Sequence, residues 1–238
     1  MNKKEIKLLF HVHSNASFDS ILSMDRIIAF CQTNQINYLA VTDHDKFNLS
    51  QRKDNSIYPI LIPGVEYSTT AGDIIGLFVT EIFDTKEPNK ILDGIGAAGG
   101  LTVLPHPFKG HDLNKIDFEK INIIEEFNAR CTHSENFKAL ELGKKLNKPS
   151  LVGSDAHWFW ELPTTLNTFE NQQITPTSPE QIKKLLLNGK RKFFANSGRN
   201  FSKILSQAVK GFKNYSLQYF AQNFLSTVKH FVLENWRR

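Results

Sequence analysis

Short apolar, β-branched runs alternate with amphipathic stretches along most of this chain, and several runs are followed at once by a histidine or a carboxylate. The runs are Ile6–His11, Tyr38–Thr42, Ile60–Val65, Ile74–Thr80, Leu101–Pro105, Asn122–Phe127, Ser150–Gly153 and Thr165–Phe169. Between them, Met24–Gln32, Lys90–Ala98, Ser134–Leu146 and Pro179–Leu187 carry apolar residues at helical spacing. Such alternation predicts an α/β fold, with a parallel sheet and helices outside it. Pro59, Pro63, Pro105, Pro107, Pro149 and Pro163 fall at or beyond strand ends, where a missing N–H costs least. In parallel barrels the chemistry gathers at the C-terminal strand ends.

Those ends are where the titratable side chains concentrate. His11 and His13 share one face if the first strand runs through them, because strand side chains alternate with period two. Asp19 follows in a polar loop that can fold back over the pair. Asp43-His44-Asp45, Gly64-Val65-Glu66, Pro105-His106-Pro107 and Gly153-Ser154-Asp155-Ala156-His157 each follow an apolar run. Asp155 and His157 repeat the spacing of His11 and His13. One histidine at a strand end is more often a packed or surface residue than a ligand. Here five of the eight histidines of the chain sit at strand ends, alongside Asp19, Glu66 and Asp155. That convergence predicts a site for divalent cations.

The ordered set HVHS…D, TDH, PGVE, HP and GSDAH resembles the PHP (polymerase and histidinol phosphatase) superfamily over most of residues 6–170. The resemblance implies a distorted (β/α)7 barrel with two or three metal ions at the strand C-termini, and a metal-dependent phosphoesterase activity. Carried over position by position, it implies metal ligation by His11, His13, Asp19, His44, Glu66, His106, Asp155 and His157, with Glu66 bridging two metals. Where the family pattern has a further histidine after the glutamate, this chain has Asp73. Two readings of Asp73 stand, a ligand in place of that histidine or a strand cap. The stretch Ile124-Glu125-Glu126-Phe127-Asn128-Ala129-Arg130 resembles another family segment and makes Arg130 the expected phosphate contact, since its planar fork suits bidentate binding. Glu125 and Asn128 are expected to orient that loop, and Lys109, His111 and His133 are weaker candidates. Ser14 and Ser154 are expected to hydrogen-bond around the ligands.

Mixed imidazole and carboxylate donors suit zinc, manganese or iron. Such cations lower the pKa of a bound water and polarise phosphoryl oxygens, so no serine or cysteine nucleophile is needed. The expected machinery is Asp155, His157 and Arg130 acting with the metals on a small phosphorylated metabolite or nucleotide. The alternatives are a nuclease on short oligonucleotides, a phosphotyrosine phosphatase, and a metal-binding scaffold without catalysis. The first 198 residues show no basic, aromatic-rich strip to track a strand, which disfavours the nuclease.

Composition bounds the remaining classes. The chain has 238 residues, 40% of them hydrophobic and 22% charged, which fits a globular domain with a substantial core. No apolar run approaches the roughly 20 residues that span a bilayer. MNKKEIKLLFHVHS has too short an apolar stretch for a secretory leader and no small-residue cleavage site, so a cytoplasmic protein is expected. Cys31 and Cys131 form no CxxC and are expected as reduced thiols, with Cys31 on the buried face of a helix. Gly94-Ile95-Gly96-Ala97-Ala98-Gly99 matches G-x-G-x-x-G, but it ends a helix and precedes a strand, the reverse of the dinucleotide fingerprint. No dinucleotide cofactor is expected.

The chain divides into a barrel over 1–198 and a basic amphipathic helical tail over 199–238. The tail holds a net charge of +6 and the rest −1, so the basic balance belongs to the tail. Phe201, Ile204, Leu205, Ala208, Val209 and Phe212 make one apolar stripe, and Leu217, Phe220, Phe224, Val228 and Phe231 another. The expected role is to cap the barrel with these stripes facing the core. The other reading is a peripheral contact with a membrane surface or a protein partner.

Overall fold

Alternate residues of the first strands feed different cores, and that split explains the layers. The computed structural model describes residues 4–47, 58–172, 175–198 and 200–214. In β1 (Lys4–Val12), Ile6, Leu8 and Phe10 enter one cluster, and Leu9 and Val12 another. In β2 (Tyr38–His44), Tyr38 and Ala40 join the first cluster, and Leu39 and Val41 the second. The first cluster fills the interior of the curved sheet. The second packs under α1 (Met24–Thr33) through Met24, Ile27 and Cys31. A third cluster lies under α2 (Pro88–Ala97) through Ile91, Leu92 and Ile95. Strands buried on both faces carry near-continuous apolar runs, as β2 does.

The remaining strands are β3 (Ile60–Thr69), β4 (Gly72–Leu77), β5 (Leu101–Leu104), β6 (Ile123–Asn128), β7 (Ser150–Gly153), β8 (Thr165–Gln172) and β9 (Arg191–Ala195). They form one nine-stranded sheet in the order β7-β6-β5-β4-β3-β2-β1-β8-β9. The parallel sheet expected from the alternation is a mixed one. β4 is antiparallel to both β3 and β5, and β8 to both β1 and β9. Only Thr70 and Ala71 separate β3 from β4, and so short a connection permits only a hairpin. The polar end of β3, Glu66–Thr69, hid this hairpin from the apolar pattern. β9 was also missed, because its run Arg-Lys-Phe-Phe-Ala reads as basic.

The sheet curls into a nearly closed barrel. At the seam, Ser154 N donates to Phe10 O at 3.1 Å and His13 N to Ala156 O at 2.9 Å. The buried side chain of Asn167 completes the closure. Its Oδ1 accepts from Val152 N at 2.9 Å, and its Nδ2 donates to Val152 O at 2.9 Å and Leu8 O at 3.5 Å. Asn167→Ala leaves the Val152 backbone groups buried and unpaired, and is expected to cost about 3 kcal/mol in urea unfolding.

Two further helices, α3 (His133–Leu146) and α4 (Pro179–Asn188), complete the barrel region. α3 starts at a capping box of Thr132 and Glu135 and ends at Asn147 with φ 50°. α4 sends Ile182, Leu185 and Leu186 into the interior cluster beside Ile6, Tyr38, Leu101 and Ile123, closing the end where the parallel strands begin. The glycines of the G-x-G-x-x-G match lie at the C-terminus of α2, where Gly99 has φ 71°. Cys31 and Cys131 are both buried and unbridged. Among the described residues no helix is long and apolar enough to cross a membrane.

The tail contributes α5 (Asn200–Asn214). It does cap the barrel, but its phenylalanines do not face the core. Ser202 and Ser206 are buried against the barrel, whereas Phe201 is 41% and Phe212 74% exposed. The polar face wins because the surface it meets is polar, the mouth of the barrel. The second stripe, from Leu217 to Phe231, lies outside the described residues.

Candidate metal centre

β1, β2, β3, β5, β6 and β7 all point their C-termini to one end of the barrel, and the side chains singled out above meet there. β4 runs the other way, so it begins at that end, and this brings Asp73 into the group. The direction of one strand thus sets Asp73 beside His44 and Glu66. Glu66 lies in register with His44 across β2 and β3. His106 follows β5, and Asp155 and His157 follow β7. Simple alternation does not govern His11. The register of β1 against β2 shifts between Leu9 and Val12, and His11 takes φ 60°. His106 and Asp155 also adopt positive φ, at 29° and 48°. Left-handed backbone at three non-glycine positions costs about 1–3 kcal/mol each and concentrates at functional sites.

The loop carrying Asp19 is folded by its own serines. Ser14 gives its N–H and hydroxyl to the Asp43 carboxylate, both at 2.6 Å. Ser17 Oγ accepts from His44 N at 2.9 Å and lies 3.1 Å from His13 Nδ1. Ser20 Oγ donates to His13 O at 2.8 Å. On the other side of the site, Ser154 Oγ donates to His11 O at 2.9 Å. The expected supporting role of Ser14 and Ser154 is therefore exerted on backbone and on Asp43.

Glu66, wholly buried, is the hub. Its Oε2 lies 3.3 Å from His11 Nε2, 3.2 Å from His13 Nε2 and 3.3 Å from His44 Nδ1, and its Oε1 3.1 Å from His106 Nε2. Asp155 Oδ1 stands 3.4 Å from His13 Nε2 and 3.7 Å from His11 Nε2. Asp19 Oδ2 meets His157 Nε2 at 2.9 Å and His44 Nε2 at 3.7 Å. The imidazoles are in mutual contact, with the His13 ring 4.5 Å from that of His44 and 4.2 Å from that of His157.

Four overlapping groups offer ligand atoms within 4.8 Å of one another: His13, Asp19, His44 and His157; His11, His13 and Glu66; His11, His106 and Asp155; and His44, Glu66 and Asp73. The eight residues that the resemblance implies, and Asp73 with them, are thereby brought together. The donor set fits divalent cations. His13 Nε2, His44 Nδ1 and Asp19 Oδ1 are buried without a hydrogen-bond partner among the described residues, and such orphans are what a metal would satisfy. Charge balance supports the same reading. Burial alone would raise the Glu66 carboxyl, but His11 and His44 hold it well below the usual range. Burial likewise opposes a proton on His13, yet Asp155 and Glu66 push it up to about 9.

Supports outside the ligand set are visible as well. Glu125 Oε1 receives His11 Nδ1 at 2.8 Å, and its Oε2 accepts from His106 N at 2.7 Å and Asn128 Nδ2 at 3.0 Å. Position 153 has to be glycine, because a Cβ there would run into Glu125 Oε1. His111 gives Nε2 to Asp73 O at 2.9 Å and fills the space a side chain at Gly72 would need, so it positions β4. His133 begins α3 and does not line the site's cavity.

Arg130 borders the site but is already committed. Its Nη1 donates to His157 Nδ1 at 2.8 Å, and its Nη2 to Ser202 O at 3.1 Å and Ser206 Oγ at 2.8 Å. His157 Nδ1 lies equally close, 2.8 Å, to the carbonyl O of Asp155, so Nε2 is the nitrogen left facing Asp19 and the ligand group. Burial, with the His13 and Arg130 charges, lowers His157 to about 4. A phosphate would have to compete with His157 and α5 for this arginine. Lys109 instead places Nζ 3.1 Å from Asp155 Oδ2 on the cavity wall.

The cavity over the cluster has a volume of about 360 Å3, and α5 lines it with Lys203, Ser206, Gln207 and Lys210. These four went unread in the sequence, where the apolar stripe dominated the tail. The 3.6-residue spacing of Lys203, Gln207 and Lys210 was the available signal. A larger cleft of about 660 Å3 lies elsewhere, beside Thr70, Glu87, Asn89 and Lys115, and brings no imidazole.

Comparison with known proteins agrees with this geometry. The PHP-associated family model matches residues 133–190. An uncharacterized protein of Methanocaldococcus jannaschii, MJ0417, is 34% identical over 196 residues, covering 76% of this chain and 79% of its own length. Among solved structures, PsfC from Pseudomonas syringae superimposes with a TM-score of 0.62 at 16% identity, over 88% of this chain and 98% of PsfC. A two-domain protein of Bacteroides vulgatus containing a predicted PHP-like metal-dependent phosphoesterase gives 0.62 at 15% identity, over 89% of this chain and 70% of that one. At such identities the likeness to the solved structures is one of fold. With the strand-end motifs gathered into one buried centre, the chain belongs to the PHP superfamily.

Proposed function

We propose that this protein is a metal-dependent phosphohydrolase that cleaves a phosphoester of a small metabolite or nucleotide. The observation that carries the reading is Glu66, a buried carboxylate ringed by four imidazoles and shared between two candidate ligand groups. The fold likeness to a protein containing a predicted metal-dependent phosphoesterase supports it. The donor set suits two or three ions of zinc, manganese or iron. Divalent cations held there would activate water and neutralise phosphoryl charge.

The chain's own residues do the rest. His11, His13, Glu66, His106 and Asp155 form the floor. Asp19, His44, Asp73 and His157 form the rim that faces the cavity. Arg130 and the Asp155 carbonyl hold the Nδ1 side of the His157 ring, and Lys109 presents an ammonium beside Asp155 for a substrate oxygen. The helix α5 over the mouth counts against a nuclease, since a polynucleotide needs an open track.

The test is direct. Protein stripped of metal and reloaded with manganese, zinc or iron is expected to release p-nitrophenol from p-nitrophenyl phosphate, and the stripped protein to be inactive. Failure with every metal across a broad phosphoester panel overturns the reading and favours the non-catalytic scaffold.

A further inference from the structure

Helix α5 is a built wall of the cavity. Its C-terminal end is held by Lys213, whose Nζ donates to Asn15 O at 2.9 Å, Ser17 O at 2.8 Å and Ser20 O at 2.6 Å. These three bonds use all the donors of one ammonium and tie the helix to the loop that carries Asp19. Its N-terminal end is held by Arg130, by Trp160 Nε1 donating to Ser202 Oγ at 2.9 Å, and by Trp158 Nε1 donating to Ser206 Oγ at 3.2 Å. Between these anchors, Lys203, Gln207 and Lys210 line the cavity.

Neither lysine is neutralised. Among the described residues Lys203 and Lys210 make no ion pair or hydrogen bond. Lys210 rests 4.8 Å over the ring of Phe18, which itself stacks on His44 at 4.8 Å. Lys203 is partly buried, and burial with the nearby Lys109 charge lowers its affinity for a proton. Cations kept in a cavity that also holds Lys109 and Arg130 are a cost that a bound anion recovers. They stand on α5 and line the cavity over the ligand cluster. One phosphate on the cluster would leave them unmatched.

We propose that Lys203 and Lys210 of α5 form a second anion subsite, so that the substrate is a small phosphate ester bearing another anionic group, a phosphate or a carboxylate. This rests on the phosphohydrolase reading and names its substrate class. The reacting phosphate goes to the cluster and Lys109, and the second anion to α5. The cavity volume fits one small molecule.

The manganese-loaded protein is tested on three alkyl esters with comparable leaving groups: ethyl phosphate, 2-phosphoglycolate and 1,3-propanediol bisphosphate. kcat/KM is expected to favour the two doubly anionic esters by about tenfold per lysine engaged. The preferred one identifies the second group as carboxylate or phosphate. Lys203→Gln with Lys210→Gln is expected to bring the ratio near one, and Lys203→Arg with Lys210→Arg to keep it. If the glutamine pair does not fold, the wild-type ratio and the arginine pair still decide. Calorimetric titration of 1,3-propanediol bisphosphate provides a readout independent of turnover, with binding weakened in the glutamine pair. No turnover of any ester with any metal, together with lysine-dependent binding, would sink the hydrolase and leave the subsite standing. Turnover without preference for the second anion, or a preference for a decanucleotide over small esters, overturns the subsite and leaves the hydrolase.

Discussion

Glu66→Gln is expected to lose bound metal and to drop p-nitrophenyl phosphate turnover by at least about a hundredfold, the scale of removing one well-placed charge-stabilising group. The reason is position more than sequence motif. Both oxygens of Glu66 face imidazole nitrogens, of His11, His13 and His44 on one side and His106 on the other, at 3.1–3.3 Å. The amide keeps the volume but removes the negative charge and turns one acceptor into a donor. In the metal-free protein the same change leaves protonated imidazoles without their buried counter-charge. Breaking a buried pair in this way costs about 3–5 kcal/mol. Metal analysis of the purified variant, its kinetics and its urea unfolding check the three consequences separately. A variant with full metal content and full turnover would remove Glu66 from the centre of the site.

Glu125→Ala is expected to behave differently. Among the described residues Glu125 is in none of the candidate ligand groups. It orients two residues that are in them. Its Oε1 fixes the proton of His11 on Nδ1, leaving Nε2 toward Glu66, and its Oε2 anchors the backbone N–H of His106. Removing such a partner typically weakens metal affinity about 10–100-fold. The buried N–H groups left behind add about 1–3 kcal/mol each in lost stability. Titration with manganese is therefore expected to show a weaker apparent affinity, with activity partly recovered at saturating metal, whereas Glu66→Gln stays inactive there. Gly153→Ala is expected to mimic Glu125→Ala, because a methyl at position 153 displaces the same carboxylate. Unchanged manganese affinity in both variants would mean that Glu125 supports only the barrel.

The strand-end residues were legible because the chemistry of a ligand and the apolar run before it are both local. His11, His13, His44, Glu66, His106, Asp155 and His157 could be placed at one end of a sheet from order alone. Asp73 could not. Its arrival depends on β4 being antiparallel, and pairing direction is set by a two-residue connection hidden in a polar stretch. Arg130 was recognised as important, but its partners were not. Ser202 and Ser206 lie more than seventy residues downstream, and no local pattern couples them to it.

The sequence by itself determined the alternation of strands and helices, the type of ligands and the end of the barrel where they gather, since each follows from periodicity and side-chain chemistry along a few residues. Tertiary structure alone decided which strand reverses, which residues adopt left-handed backbone to aim their side chains, and that α5 docks by Ser202, Ser206 and Lys213 rather than its phenylalanines. Those choices are set by contacts between segments distant in the chain. The polar mouth of the barrel, assembled from six strand ends, offered α5 hydrogen-bond partners that the helix's own pattern does not reveal.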